Sequence, residues 1–445
     1  MILKPFMDRV GQVKPYRWVG RVSKIVGLVI ESTGPAASVG ELCEVRSIDG
    51  WSSVPAEVVG FRDDRVLLMP LAEMNGLAFG DEVVSRGTQF SIRVGDCLLG
   101  RVLDGFGKPI DDKGPLPAAQ VRPVHHSSPC PMRRPCIAEP LPTGVRVIDT
   151  LLTCGKGQRM GIFGGSGVGK SVLLGEVAKH TKAAVNVIAL IGERGREVRD
   201  FLQHNLKDGL ERSVVVAATS DQPALVRLKG AFTATTIAEY FRDQGLDVLL
   251  IMDSVTRVAM AAREIGLAVG EPPATRGYTP SVFALLPKLL ERAGPDEHGS
   301  ITGFYAVLVE GDDTEEPLSD AVRSILDGHI VLSRGLASRG LYPAIDIHKS
   351  ISRLMPEIVP PEYLAAAGRL KAVSYTYDEA ADMINIGAYQ KGSNPDIDHA
   401  INMRRHIEDF RRQPMGEAGD MERDTRRLFE LMSRQPMEAT RHAKV

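Results

Sequence analysis

A glycine-rich stretch at residues 164–171 constrains the fold of this chain more than any other feature. It matches the phosphate-binding loop pattern of Gly, four further residues and Gly-Lys-Ser. The residues of the loop are Gly164, Gly165, Ser166, Gly167, Val168, Gly169, Lys170 and Ser171. A short apolar run at 159–163 precedes the loop, and a helical pattern begins at its end. Because a strand, the loop and a helix follow in that order, a phosphate-binding loop is favoured over a glycine-rich turn without a ligand.

A loop of this kind binds nucleotide phosphates through its backbone. Glycines tolerate positive φ and carry no Cβ, so several N–H groups converge on a phosphate at the positive end of a helix. Lys170 would add its charge to the β- and γ-phosphates, and the Ser171 hydroxyl would be a ligand of Mg²⁺. The loop therefore predicts ATP and Mg²⁺ as cofactors.

Length and composition bound the number of domains and the class of partner. At 445 residues the chain is too long for one ordinary core, so two or three domains are expected. The composition, 43% hydrophobic and 25% charged with a net charge of −2, is typical of a soluble globular protein and gives no electrostatic reason to expect nucleic acid. The first residues lack a secretory signal, no run of about 18 apolar residues is present, and five cysteines fit a reducing cytoplasm.

Residues 1–90 are predicted to form an N-terminal β-barrel domain. Short strand patterns separated by turn-forming residues indicate a small antiparallel barrel or sandwich. The predicted strands are 19–31, 41–45, 56–61, 65–69 and 81–84. Few aromatic residues are available to stack on bases, so a structural or assembly role is favoured over oligonucleotide binding.

A connecting region rich in glycine and proline follows at 95–142. Such a run is extended and semi-rigid, and it is expected to wrap around the molecule without forming a core. His125, His126, Cys130 and Cys136 lie close together in it, so a zinc site is conceivable. The spacing of the two cysteines is wider than is usual for zinc, which favours a proline-stiffened linker.

Residues 91–358 are predicted to form the nucleotide-binding domain. Near-continuous apolar runs, typical of strands covered on both faces, alternate with helical patterns such as 223–244 and 280–292. The predicted strands are 159–163, 185–192, 213–218, 247–253, 303–309 and 329–332. This alternation predicts a doubly wound α/β sheet that binds its ligand at the carboxyl ends of the strands.

Residues 359–445 are predicted to form a small C-terminal helical domain. Its helical patterns lie at 362–373, 378–386, 396–410 and 421–433, and turn-forming residues separate them.

Two acidic residues at strand ends are candidates for the chemistry. Asp253 ends an apolar strand where a phosphate-loop enzyme has its second magnesium-holding acid, although it also suits the N-cap of the next helix. Glu193 follows the predicted strand at 185–192, the first after the loop helix, and is a candidate to polarise the water that attacks the γ-phosphorus. Arg194 and Arg196 are expected to keep Glu193 ionised. A solvated charge cluster is the alternative interpretation.

Three motifs together carry a resemblance to a known family. They are the loop at 164–171, Ile-Gly-Glu-Arg-Gly-Arg-Glu at 191–197 and Gly-Glu-Pro-Pro-Ala-Thr-Arg-Gly-Tyr at 270–278. With them the chain resembles the rotary-ATPase-like hexameric ATPases, over about residues 20 to 410.

Further stretches narrow the resemblance to the ATPases of bacterial type III protein export. Val-Glu-Gly-Asp-Asp at 309–313 and the run at 325–334 are similar to that group. Within it, the stretches at 277–283 and 350–353 are more similar to the flagellar export enzymes than to those of the virulence injectisome.

The resemblance implies a RecA-like nucleotide-binding domain between a β-barrel and a helical domain, assembled as a homo-hexamer with its sites between subunits. By resemblance, Glu193 activates the attacking water, Arg194 contacts the γ-phosphate and Asp253 holds magnesium through water. Tyr342 would pack on adenine, and Arg353 would reach into the site of the next subunit. Spacing alone does not exclude that Tyr342 is a core tyrosine or that Arg353 is a surface arginine.

The chain departs from its relatives at two places. Rotary relatives have a phenylalanine against the base after Gln-Pro, whereas Met415 follows Pro414 here. Flagellar relatives often have a longer N-terminal helix for their regulator, whereas about eighteen residues precede the predicted barrel here.

The function implied by the resemblance is ATP hydrolysis that energises flagellar protein export. The implied partners are an export regulator or stator protein, a central stalk protein, the export gate membrane protein and chaperone–substrate complexes, with no nucleic acid. The implied location is the cytoplasm, peripherally at the inner membrane. The alternatives are an injectisome ATPase, a ring-shaped RNA translocase and a non-catalytic nucleotide-holding subunit. The RNA translocase would need a basic, aromatic N-terminal platform, and the non-catalytic subunit would lack Glu193.

Overall fold

The computed structural model describes residues 18–117, 119–309 and 316–433. Part of the export-ATPase motif at 309–313 lies outside these ranges, as do both ends of the chain. The described residues form an N-terminal barrel, a central sheet with helices on both faces and a set of C-terminal helices. No helix in the described ranges has the length and apolar character needed to cross a membrane.

The N-terminal domain is a closed antiparallel barrel with the strand order β1-β2-β5-β4-β3-β6. Its strands are β1 (Val19–Val26), β2 (Val29–Ser32), β3 (Glu41–Arg46), β4 (Ser53–Arg62), β5 (Arg65–Pro70) and β6 (Glu82–Gln89). The strand predicted at 19–31 is in fact two strands, because Gly27 adopts a φ of 57° and turns the chain between them. Alternate side chains such as Val22, Val45 and Leu68 fill the interior, and the boundary predicted at residue 90 falls directly after β6.

The central sheet runs in the order β17-β16-β10-β15-β13-β11-β12-β8. The remaining strands of the described chain are β7 (Ser91–Val94), β8 (Val102–Asp104), β9 (Gln120–Pro123), β10 (Arg159–Gly164), β11 (Val185–Ile191), β12 (Ser213–Ala218), β13 (Asp247–Asp253), β14 (Gly294–Pro295), β15 (Ser300–Leu308), β16 (Gly328–Leu332) and β17 (Ile345–Ser352). The strands from β8 to β16 along this order are parallel, and β17 is antiparallel to β16. The doubly wound α/β prediction is confirmed.

Two strands at the edges of the sheet were not predicted. β8 comes from the glycine- and proline-rich region and pairs with β12, so the prediction that this region forms no core is wrong. β17 closes the opposite edge, and its side chains alternate between buried and more exposed. β8 was missed because three residues are too few to show a periodic pattern. β17 was missed because an edge strand with polar side chains leaves little periodicity in the sequence.

Helices cover both faces of the sheet. The α-helices of the described chain are α1 (Arg146–Leu151), α2 (Lys170–His180), α3 (Gly195–Asp200), α4 (Ala224–Asp243), α5 (Val255–Ala268), α6 (Pro280–Leu290), α7 (Pro317–Ile325), α8 (Arg334–Ser338), α9 (Met355–Ile358), α10 (Pro361–Asn385), α11 (Pro395–Arg411) and α12 (Met421–Met432). Residues of α2 and the C-terminal helices share one hydrophobic core with the sheet, and residues of α4, α5 and α6 share the other.

The helices predicted at 362–373 and 378–386 are a single helix, α10, of 25 residues. The intervening Ser-Tyr-Thr-Tyr has low helix propensity. Both Ser374 and Tyr377 are buried, Ser374 beside His348 of β17 and Tyr377 beside Arg404 of α11, so tertiary packing overrides the propensity.

Candidate active site

The phosphate-binding loop connects the end of β10 to the start of α2, as the sequence predicts. Gly167 and Gly169 adopt φ values of 79° and 90°, which glycine tolerates and other residues rarely do. A Cβ on Gly164 would lie 3.0 Å from side-chain atoms of Leu332 and Val168, so the packing leaves little room there. The buried Val168 anchors the loop, and α2 begins at Lys170.

Lys170 and Asp253 meet at the carboxyl edge of the sheet. The Lys170 Nζ lies 3.0 Å from Asp253 Oδ1, and both side chains are almost fully buried. Ser171, in the first turn of α2, is exposed at the same edge. A hydroxyl and a carboxylate are the hard oxygen donors that Mg²⁺ takes beside substrate phosphates. The helix after Asp253 is capped by Ser254, whose side chain accepts from the Arg257 N–H at 3.4 Å, so the alternative of Asp253 as the N-cap is wrong.

Glu193 holds its proton more tightly than an ordinary carboxyl. Burial, then the nearby Asp253 carboxylate and a hydrogen bond with Glu197, raise the pKa of Glu193 to about 7. The prediction that the adjacent arginines keep it ionised is therefore wrong. Arg194 and Arg196 are exposed, and Arg196 pairs with Asp200 at 2.9 Å. Their positive charges help to lower the pKa of Glu197 instead, after the hydrogen bond that Glu197 shares with Glu193.

Arg194 lies at the N-terminus of α3, with its side chain in solvent. Its backbone N–H donates to the Glu197 carboxylate at 3.4 Å. The role of Arg194 as a γ-phosphate contact stays a prediction, because no hydrogen bond or ion pair with a described residue positions the guanidinium.

A cavity of about 450 Å³ opens beside the phosphate-binding loop. Its apolar lining includes residues of α2, Tyr342 and the turn that contains Pro414 and Met415. Tyr342 is 44% exposed and is not a core tyrosine; a Cβ on Gly169 would lie 3.5 Å from its Cε1. Met415, where the sequence departs from rotary relatives, is part of the cavity wall. An aromatic ring beside a phosphate loop suits an adenine, and this role of Tyr342 stays a prediction.

Arg353 lies at the opposite edge of the sheet from the phosphate-binding loop of its own chain. It directly follows β17, the edge strand that was not predicted from the sequence. Ser352 pairs with Gly328, and Gly328 pairs with Met160 near the start of β10. Four residues of strand, roughly 13 Å, separate Met160 from the start of the loop at Gly164. Arg353 is exposed, and its guanidinium has no partner among the described residues.

Arg257 is a cation near the site that was not predicted. A Cβ on Gly192 would lie 2.8 Å from Arg257 Cβ, so the arginine side chain crosses directly over the residue before Glu193. Its Nε is buried without a hydrogen-bond partner in the described part of the chain. The available signal was its position four residues after Asp253, in the first turn of α5.

The four residues considered for zinc are separated in the structure. His125 Nε2 lies 2.6 Å from Lys229 Nζ, and His126 Nε2 lies 2.7 Å from Glu239. Both cysteines are exposed. Within the described ranges, no three histidine, cysteine or acidic side chains are grouped closely enough to hold a metal ion.

Family models match three consecutive segments of the chain. Residues 22–87 match the β-barrel domain of the ATP synthase alpha/beta family, and residues 144–352 match the nucleotide-binding domain of the same family. Residues 359–430 match the C-terminal domain of the type III secretion ATPase EscN. These matches agree with the three parts of the fold.

Similar proteins cover nearly the whole chain. The flagellum-specific ATP synthase of Bacillus subtilis (strain 168) is 53% identical over 436 residues, which are 97% of this chain and 99% of the relative. The type 3 secretion system ATPase of Xanthomonas euvesicatoria is 52% identical over 399 residues, 89% of this chain and 90% of the relative.

Solved structures have the same fold. The assembled ATPase EscN from the enteropathogenic E. coli type III secretion system matches with a TM-score of 0.88 and 48% identity, over 93% of this chain and 100% of that chain. The assembled EscN in complex with its central stalk EscO matches with a TM-score of 0.86 and 47% identity, over 93% of this chain and 100% of that chain. This chain therefore belongs to the family of flagellum-specific and type III secretion ATPases, within the ATP synthase alpha/beta family.

Proposed function

We propose that this chain hydrolyses ATP as a homo-hexameric ring that energises flagellar protein export. The observation that carries the proposal is the division of the candidate site between two edges of one sheet. Lys170 and Asp253 lie at the carboxyl edge, together with the cavity beside the phosphate-binding loop that Tyr342 and Met415 line, hereafter the base cavity. Arg353 lies at the amino edge. A site that contains all of these residues therefore requires a second copy of the chain, which agrees with the assembled state of the solved relative EscN.

In the proposed reaction, the residues of this chain bind, orient and move a proton. Lys170 exchanges its contact with Asp253 for the β- and γ-phosphates, where its charge stabilises the transferred group. Ser171 and, through water, Asp253 would hold Mg²⁺, which when bound neutralises phosphate charge. Glu193 accepts the proton of the attacking water, for which a pKa near the working pH is favourable. Arg353 of the neighbouring subunit contacts the phosphates, and Arg194 assists at the γ-phosphate.

The flagellar role is favoured over the injectisome role by a small margin of identity, since flagellum-specific relatives reach 54% and type 3 secretion relatives 52%. The Bacillus relative aligns over 99% of its length, and the Xanthomonas secretion ATPase over 90%, at nearly equal identity. The proposed partners are a central stalk protein, as for EscN with EscO, an export regulator, the export gate and chaperone–substrate complexes. The proposed location is the cytoplasmic face of the inner membrane at the export apparatus.

Three experiments test the proposal. ATP hydrolysis by the purified chain should rise steeply with protein concentration, because each site needs a neighbour; activity proportional to concentration in a proven monomer would contradict the shared site. Deletion of the gene from its source cell should abolish export of flagellar proteins. Normal flagellar export with loss of injectisome secretion would show that the chain is an injectisome ATPase instead. Salt-dependent RNA binding would favour the RNA translocase.

A further inference from the structure

Glu176 connects the phosphate-loop helix to the C-terminal helical domain. It lies on α2, two turns beyond Lys170, and only 13% of its side chain is exposed. Its Oε2 accepts a hydrogen bond of 2.8 Å from the backbone N–H of Gly416, in the turn between α11 and α12. Its other oxygen accepts from Lys179. Glu176 also lines the base cavity.

The beginning of that turn is held from other directions. The Gln413 N–H donates to the Tyr342 carbonyl at 3.0 Å, and Gln413 Oε1 accepts from the Arg146 N–H at 2.7 Å. The Arg146 guanidinium donates to the carbonyls of Phe410 and Arg412 at 3.1 and 3.0 Å. At the end of the turn, Glu417 accepts from the Arg146 guanidinium and the Gly419 N–H donates to the Gly144 carbonyl, each at 2.8 Å. Between these two anchored ends, the bond from the Gly416 N–H to Glu176 is what ties the turn to the phosphate-loop helix among the described residues.

We propose that Glu176 is a positioning residue for nucleotide binding, which holds Pro414 and Met415 in place as the C-terminal wall of the base cavity. The inference rests on the proposed function, since it takes ATP as the ligand. Met415 directly precedes Gly416 and is 68% exposed, so it has few contacts of its own to fix it. A wall that is already ordered avoids the entropy loss of ordering it on binding.

The charge on Glu176 strengthens this contact. Burial acts to raise the pKa of Glu176, but hydrogen bonds from Lys179 and from the Gly416 N–H outweigh it, and the pKa lies below its ordinary value. The carboxylate is therefore ionised at neutral pH, and a charged acceptor makes a shorter and stronger bond to an N–H than a neutral one.

The test compares two ligands that share the phosphates and differ in the base. Equilibrium binding of ATP and of inorganic tripolyphosphate is measured for the wild type, Glu176→Ala and Glu176→Gln. We expect Glu176→Ala to weaken ATP binding by about 3- to 10-fold, less than the full value of one charged hydrogen bond. Tripolyphosphate binding should be unchanged, because it makes no use of the cavity wall. Glu176→Gln keeps an acceptor for the Gly416 N–H and should restore most of the ATP affinity.

Lys179→Ala is the matched control. It removes the ion pair on the same helix and leaves the bond to Gly416, so its affinity for ATP should stay within about 2-fold of the wild type. In steady-state kinetics, Glu176→Ala should raise KM with little change in kcat. On a Met415→Ala background the effect of Glu176→Ala should shrink, because the residue that it positions is gone.

Three results would overturn the inference. They are an equal loss of ATP and tripolyphosphate affinity, unchanged ATP affinity in Glu176→Ala, and an undiminished effect on the Met415→Ala background. If Glu176→Ala does not fold, the ATP affinity of Glu176→Gln decides. It is compared with the affinity of Lys179→Ala and with that of Glu176→Gln on the Met415→Ala background. Failure of the wild type to bind ATP while it binds tripolyphosphate would overturn the proposed function, and this inference with it.

Discussion

At the scale of single residues, the contact between Lys170 and Asp253 gives the phosphate-loop lysine two roles. Lys170→Ala should abolish tight ATP binding and turnover, because it removes a cation from the phosphates. It should also lower the free energy of unfolding by about 3–5 kcal/mol, the usual effect of leaving one partner of a buried pair uncompensated. Calorimetry measures the loss of stability, and binding of a labelled ATP analogue measures the loss of affinity.

The control is the double variant Lys170→Ala, Asp253→Asn, which removes the unpaired charge. It should recover much of the stability and none of the affinity. ATP binding at wild-type strength in Lys170→Ala would show that the loop is assigned wrongly.

Glu193 is predicted to separate binding from chemistry. Glu193→Gln keeps the size of the side chain but cannot accept a proton from water. We expect hydrolysis to fall by a factor of about 10² to 10⁴, or roughly 3–5 kcal/mol of barrier, while ATP still binds. If the variant retains more than about a third of wild-type hydrolysis, well outside that range, Glu197 becomes the better candidate.

The raised pKa of Glu193 also predicts a pH dependence with a definite sign. A base must be deprotonated to act, and kcat/KM reports the pKa of the free enzyme. With a pKa of about 7, kcat/KM should fall as the pH drops below 7 and level off above it. Glu193→Gln controls for titration of the substrate, since its residual activity should lack this step. An unchanged pH profile in the variant would assign the titration to another group.

At the scale of secondary-structure elements, the antiparallel direction of β17 decides where Arg353 can act. Because β17 ends at the amino edge of the sheet, Arg353 is carried away from its own loop. Arg353→Ala should bind ATP and hydrolyse it about 10³ to 10⁵ times more slowly, the range found for arginine fingers.

A mixture of variants distinguishes action on the neighbouring subunit from action within one subunit. Arg353→Ala and Lys170→Ala subunits are each expected to be nearly inactive. Mixed rings contain some sites with an intact loop beside an intact arginine, so activity should return. Labelled subunits establish exchange. Background activity despite demonstrated exchange would contradict the shared site.

At the scale of the whole molecule, a buried ion pair joins the barrel to the nucleotide-binding domain. Glu57 of β4 lies 2.7 Å from Lys229 of α4, and both side chains are almost fully buried. His125 accepts from the same ammonium as a neutral ring, since burial and then the Lys229 charge lower its pKa to about 4. Lys229→Met should lower the free energy of unfolding by about 3–5 kcal/mol, because Glu57 is left buried and unpaired.

The double variant Lys229→Met, Glu57→Gln removes that charge and should restore part of the loss, as judged by denaturant unfolding. Equal stability of the single and double variants would show that the pair does not couple the domains. Hydrolysis by the double variant, measured at a temperature where it is folded, reports whether the barrel contact matters for activity beyond stability.

The sequence alone determined the loop, the central strands of the sheet and the three-part organisation, because glycine spacing and apolar periodicity are local properties of the chain. It made Asp253 and Glu193 candidates through their positions at strand ends, whereas Tyr342 and Arg353 became candidates only through a family resemblance, since a single side chain carries no local signal. Tertiary structure decided what depends on neighbours distant in the chain. Burial raises the pKa of Glu193, which adjacent arginines were expected to keep ionised. The edge strand β17 separates Arg353 from its own loop, and the turn at Gly416 meets Glu176 across 240 residues. Contacts of this kind are made by packing, which no short stretch of sequence specifies.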